Sequence, residues 1–166
     1  MIEKFSNDIS SLELSKNNEY NIDGYKVIYN ERNIINEEDT SNLDPDIQML
    51  KEMVREVANY PELKVFSGGT QLIGSDFDKI RSEWWNNPSI LSDKIEISRA
   101  LSSGSTYSRV KGLGSVLNMM KEHGLVANHV DEWKSKLDQI AKIDDYESQK
   151  LELDNLFIEI NKGLVS

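Results

Sequence analysis

The chain has 166 residues, 38% hydrophobic and 29% charged, with 29 acids against 19 bases and a formal net charge of −10. Such a composition is globular rather than disordered, and the length can bury a core without covalent staples. The acidic balance argues against nucleic acid and against an anionic membrane surface as partners, because phosphate affinity comes from clustered Lys and Arg.

There is no cysteine, which excludes disulfides, thiolate catalysis and zinc–thiolate sites. No apolar run approaches the ~20 residues of a membrane span. The opening residues, Met1 to Asp8, lack a basic stretch followed by an apolar one, so no Sec-type signal peptide is expected. The expected location is the cytoplasm, or outside the cell by a route without such a signal.

Residues 1–19 are polar and rich in Ser and Asn, with Phe5, Ile9, Leu12 and Leu14 scattered among them. They read as a flexible polar leader, because too few apolar groups are present to offset ordering entropy. Their composition also resembles that of type III secretion leaders. Residues 20–166 read as a single globular domain.

Residues 20–36 are strand-forming. Tyr20, Ile22, Tyr25, Val27 and Tyr29 surround Asp23-Gly24, a dipeptide suited to a two-residue hairpin turn. Asn30-Glu31-Arg32-Asn33 is a second turn signal before Ile34-Ile35, which predicts a small meander. An isolated hairpin is marginal in water, and Lys64-Val65-Phe66 is the candidate extra strand. Residues 37–43 form an acidic connector. Asp44 then caps a helix with Pro45 in its first turn and Ile47, Leu50, Val54 and Val57 on one stripe. Tyr60-Pro61 ends it.

Ser67-Gly68-Gly69-Thr70 reads as a strand-to-helix loop; it lacks the Lys of a phosphate-binding loop. A helix capped by Ser75 carries Phe77, Ile80 and Trp84 on one face and stops before Pro88. Residues 89–101 fit a helix through Ile90, Ile97 and Leu101. They also show the alternation of a strand at Ile95 and Ile97. Helix is preferred, because Pro88 suits a first turn. A helix from Ser105/Thr106 carries Tyr107, Val110, Leu113, Leu117 and Met120. It ends at His123-Gly124, with Leu125 placed for a C-terminal capping contact. Asn128 opens the next helix, with Val130, Trp133, Leu137 and Ile140. Asp144-Asp145 opens the last, with Leu153, Phe157, Ile160 and Leu164. The short link between these two predicts an antiparallel helical hairpin.

The fold expected is therefore α+β, mainly α. A small N-terminal antiparallel β-meander packs on a bundle of five or six helices that ends in the hairpin.

The candidate site residues are few. Ser102-Ser103-Gly104-Ser105 leads into a helix N-terminus, where free N–H groups attract anions, and Arg99 and Arg109 flank it. Ser103, Ser105, Arg99 and Arg109 are thus candidate binding residues. Trp84-Trp85 supplies the other. Neighbours on a helix point about 100° apart, so only one of them fits the Phe77/Ile80 stripe. Trp85 is left over, and Trp is a frequent interface hot spot. His123 and His129 match no zinc spacing, and the acids around Asp76 fail the EF-hand pattern, so neither metal nor cofactor is expected.

With no catalytic signature, the function expected is a non-enzymatic protein-binding module. Its partner is another protein, of basic character given the charge. The Asn-, Ile-, Lys- and Ser-rich composition suits a bacterial or phage source. A secretion-associated or secreted virulence protein, or a small inhibitor or adaptor, are the forms considered. The alternative is an enzyme acting on a phosphorylated or sugar substrate at the Ser102–Arg109 loop.

Overall fold

A computed structural model describes residues 18–36, 40–103, 106–125 and 127–164. The leader expected over 1–19 lies outside them as far as residue 17. Among the described residues there are four strands and six α-helices, an α+β architecture that is mainly helical. The strands are β1 (Glu19–Ile22), β2 (Tyr25–Asn30), β3 (Glu62–Ser67) and β4 (Thr70–Leu72). The helices are α1 (Pro45–Ala58), α2 (Gly74–Trp85), α3 (Ile95–Ser103), α4 (Thr106–Glu122), α5 (Ala127–Ala141) and α6 (Tyr146–Gly163), with a 3₁₀ turn at Pro88–Leu91 between α2 and α3.

Turn chemistry builds the sheet, whose order is β1-β2-β3-β4, all antiparallel. Asp23 and Gly24 have φ of +52° and +84°, the paired positive values of a hairpin whose twist matches its strands. Gly68 and Gly69 repeat that geometry at +55° and +85°. They make a second hairpin, not the strand-to-helix loop read from the sequence, and β4 is the strand that reading missed. Three residues are too few to show alternation. Val65 sits at the sheet centre, opposite Val27 on one side and Leu72 on the other.

Lys64-Val65-Phe66 supplies β3 as expected, but Ile34-Ile35 does not extend the sheet. Asn59 takes them instead. Its Oδ1 accepts from the N–H of Ile34 at 2.7 Å and of Ile35 at 3.1 Å. Its Nδ2 donates to the carbonyl of Ile35 at 2.8 Å. One side-chain amide meets the donors and acceptor that a strand neighbour would have met.

The chain forms two compact units, interleaved along the sequence. The first takes residues up to Glu31 and Pro61–Gly104. Its core sets Ile22, Val27, Leu63 and Val65 of the sheet against Phe77, Ile80 and Trp84 of α2 and Ile97, Ala100 and Leu101 of α3. Residues 89–101 are thus helical on either side of a short break. Ile97 faces inward, while Ile95, the residue that suggested a strand, is exposed.

The second unit takes Arg32–Tyr60 and residues from Ser105 onward. Leu50 and Val54 of α1 meet Leu113, Leu117 and Met120 of α4 in its core. Trp133, Leu137 and Ile140 of α5 meet Leu153, Phe157 and Ile160 of α6, as the hairpin reading required. Tyr107 departs from its predicted stripe: it is exposed beneath Lys111, whose Nζ is 5.1 Å from the ring centroid. Thr106 and Arg109 take the buried positions instead.

Caps confirm part of the punctuation. Asp44 Oδ1 accepts from the N–H of Asp46 at 2.9 Å. The N–H of Leu125 reaches the carbonyl of Met120, and that of Gly124 the carbonyl of Lys121, the paired bonds of a left-handed helix end. Two predicted caps are corrected. Ile73, just after β4, stands at the cap position, and its carbonyl closes the first turn of α2, so Ser75 lies inside the helix. Helix α5 begins at Ala127, so Asn128 lies inside its first turn.

Asp145 caps α6, accepting from the N–H and the hydroxyl of Ser148 at 2.9 and 2.6 Å. The hydroxyl and then the backbone bond hold its carboxyl below the ordinary range. A lowered folded pKa gives stabilisation that is complete above the ordinary Asp value of about 4 and lost as pH falls through the lowered one. Asp145→Asn keeps a cap without the titration, so it should flatten the acid limb of a melting-temperature profile taken down to pH 2. In the same hairpin, Phe157→Ala should cost about 3–5 kcal/mol by denaturant titration. A loss of under about 1 kcal/mol would be too small for a core aromatic.

Candidate functional site

Two adjacent tryptophans have opposite fates on α2. Trp84 is 1% exposed and meets Tyr25 edge-on at 6.0 Å and 70°. Its Nε1 has no hydrogen-bond partner among the described residues. An unmet buried donor costs about 1–3 kcal/mol. The packing of the indole, with a ring that can bury some 150–250 Å² of surface, offsets that cost. Trp85, one residue on, is 59% exposed.

Trp85 borders a shallow cavity of about 350 Å³ with Asp78, Arg81, Ser82 and Leu101. Leu101 is fully buried and forms the apolar floor. Asp78 and Arg81 lie one turn back on α2, Oδ1 to Nε 3.9 Å, and give the rim both charges. An apolar floor, a large exposed aromatic and a mixed-charge rim are what a protein contact uses.

Of the other sequence candidates, Arg99 is exposed on α3 of the first unit. It stands close enough to Tyr29 to oppose, by its charge, the rise in that hydroxyl's pKa. Burial drives the rise, with Glu31 and Glu96 adding to it. Ser103 is the last residue of α3 and its side chain lies outside the described residues, as does the whole of Ser105. Arg109 belongs to the second unit, so the five candidates divide between the units.

Arg109 points inward. It is 2% exposed, and its Nη1 donates to Asp154 Oδ1 at 2.6 Å. Arg32 Nη2 donates to the other oxygen of the same carboxylate at 2.5 Å. Burial first, and the neighbouring Arg32 second, lower the Arg109 pKa, while Asp154 works against them. Arg109 is therefore held as part of an internal ion-pair triad. The sequence held no signal for this pairing, since Asp154 is one acid among 29.

His129 stacks on Trp133 at 5.6 Å and 23°, and Trp133 Nε1 donates to Glu159 Oε2 at 3.1 Å. Among the described residues, no group of three or more His, Cys, Asp or Glu side chains is arranged to hold a metal ion. Among the described residues, no helix is long and apolar enough to cross a membrane. Comparison with protein-family models, with curated proteins and with solved structures finds no match to this chain.

Asp154→Ala would leave two buried guanidiniums without their shared counter-ion and should cost about 3–5 kcal/mol in a denaturant titration. The tryptophans should separate as clearly. Trp84→Ala should lose about 3–5 kcal/mol, whereas Trp85→Ala should stay within about 0.5 kcal/mol of the parent.

Proposed function

We propose that this chain is a non-enzymatic protein-binding module and that Trp85 is its principal contact residue. The observation that carries this reading is the exposure of Trp85 beside the cavity floored by Leu101. A large aromatic left in water gains most from a partner that covers it. The net charge of −10 favours a partner with a basic surface, and an Arg or Lys from that partner would stack on the indole. Among modules of this kind, the Asn-, Ile-, Lys- and Ser-rich composition favours a bacterial or phage inhibitor, adaptor or secretion-associated protein. The catalytic alternative at Ser102–Arg109 loses support, because the Arg109 guanidinium is engaged with Asp154.

The test compares the wild-type chain with Trp85→Ala as bait in a lysate of the source organism. A protein held by the wild type should be lost by the variant. Its measured affinity should fall by roughly 30-fold or more, the equivalent of about 2 kcal/mol. Equal capture by both baits, with both folded, would overturn the assignment.

A further inference from the structure

The ion-pair triad of the second unit is unbalanced. Arg32 and Arg109 bring two positive charges to the single carboxylate of Asp154, which leaves an excess of one positive charge. Each guanidinium reaches that carboxylate through one terminal nitrogen, Nη2 of Arg32 and Nη1 of Arg109, and each takes a different oxygen. The side chains of Arg32 and Arg109 are 9% and 2% exposed, so the excess lies inside the fold.

One donor of Arg32 is left over. Its Nε is buried and has no hydrogen-bond partner among the described residues. A buried donor of this kind calls for an ordered water or an ion. A water satisfies the N–H and leaves the charge, whereas an anion satisfies both. Burying an uncompensated charge is far costlier than burying an unmet neutral donor, so the charge decides between them. Trp84 Nε1 is the contrast, equally unmet but neutral. We infer that the Nε edge of Arg32 is a binding site for a small monovalent inorganic anion such as chloride, the second counter-ion of the triad.

Charge and access define the ligand. The excess is a single charge, which one monovalent anion neutralises. Among the described residues, Asp154 is the one carboxylate whose charge is felt at Arg109. Burial first, and Arg32 second, hold the Arg109 pKa below its ordinary value against the pull of Asp154. The most open member of the triad is Asp154, at 18% exposed. Such slight exposure suits a bare ion and excludes an organic acid or a phosphate ester. The whole chain carries −10, which repels anions from its general surface. A stabilisation specific to one anion therefore reports a local site.

The test varies the anion at fixed ionic strength. The wild-type melting temperature should rise by about 2–4 °C when gluconate, too large to enter, is replaced by about 0.5 M chloride. Arg32→Met leaves Asp154 and Arg109 as a balanced pair and should abolish the rise. Lys136→Met removes an exposed cation paired with Glu159 and should keep it. Wild-type crystals soaked in bromide should show an anomalous peak within hydrogen-bonding distance of Arg32 Nε. Should Arg32→Met fail to fold, the wild-type rise and the bromide position decide without it. A melting temperature indifferent to the anion would overturn the proposal, as would a rise that a folded Arg32→Met retains. A water at Arg32 Nε in the soaked crystal would overturn it too. A bromide peak there without any rise in solution would mean binding at crystal concentration only, and the site would fall.

Discussion

One carboxylate organises the second unit. Asp154 receives Arg109 from α4 on one oxygen and Arg32, the first residue of that unit, on the other. Two guanidiniums buried almost completely would be costly alone, and their shared counter-ion makes the arrangement tolerable. Its reach is wide. It ties Arg32 to α6, and it turns Arg109 away from the solvent. A hydrophobic triad of equal volume could serve stability as well, but it would not join Arg32 and α4 to α6 by directed bonds.

The two tryptophans of α2 show how one helix divides labour between neighbours. A 100° step carries Trp84 into the sheet and Trp85 out of it. Trp84 is retained although its Nε1 has no partner among the described residues, and its packing offsets that cost. Trp85 is free of any such duty, and substitution there tests recognition without confounding stability.

Much of the helical architecture was legible because its signals are local. Asp44-Pro45, His123-Gly124-Leu125 and the Trp133/Phe157 stripes each depend on residues within a few turns of one another, and all appear where periodicity puts them. What was not legible depends on distant partners. Nothing near Ile34 announces Asn59, and nothing near Arg109 announces Asp154. Tyr107 and Arg109 exchange their expected roles because a carboxylate 45 residues away makes the polar side chain the better one to bury. Strand β4 was hidden by its length, and Gly68-Gly69 fits a loop as well as a hairpin until a pairing strand is known. At the candidate site, the exposure of Trp85 followed from its angle to Trp84. The cavity beside it did not, because Leu101 comes from a different helix.

The interleaving of the two units has a consequence for synthesis. Helix α1 leaves the ribosome before β3, yet the partners of Leu50 and Val54 lie on α4 and α6. The sheet unit can close once residue 104 has been made, looping α1 out as an insertion, whereas α1 must wait for residue 163. At about 5–20 residues per second, that delay spans roughly 3 to 12 seconds. For that interval the apolar stripe of α1 lacks its partners from α4 and α6. The rate of synthesis between residues 104 and 163 sets how long that stripe stays open.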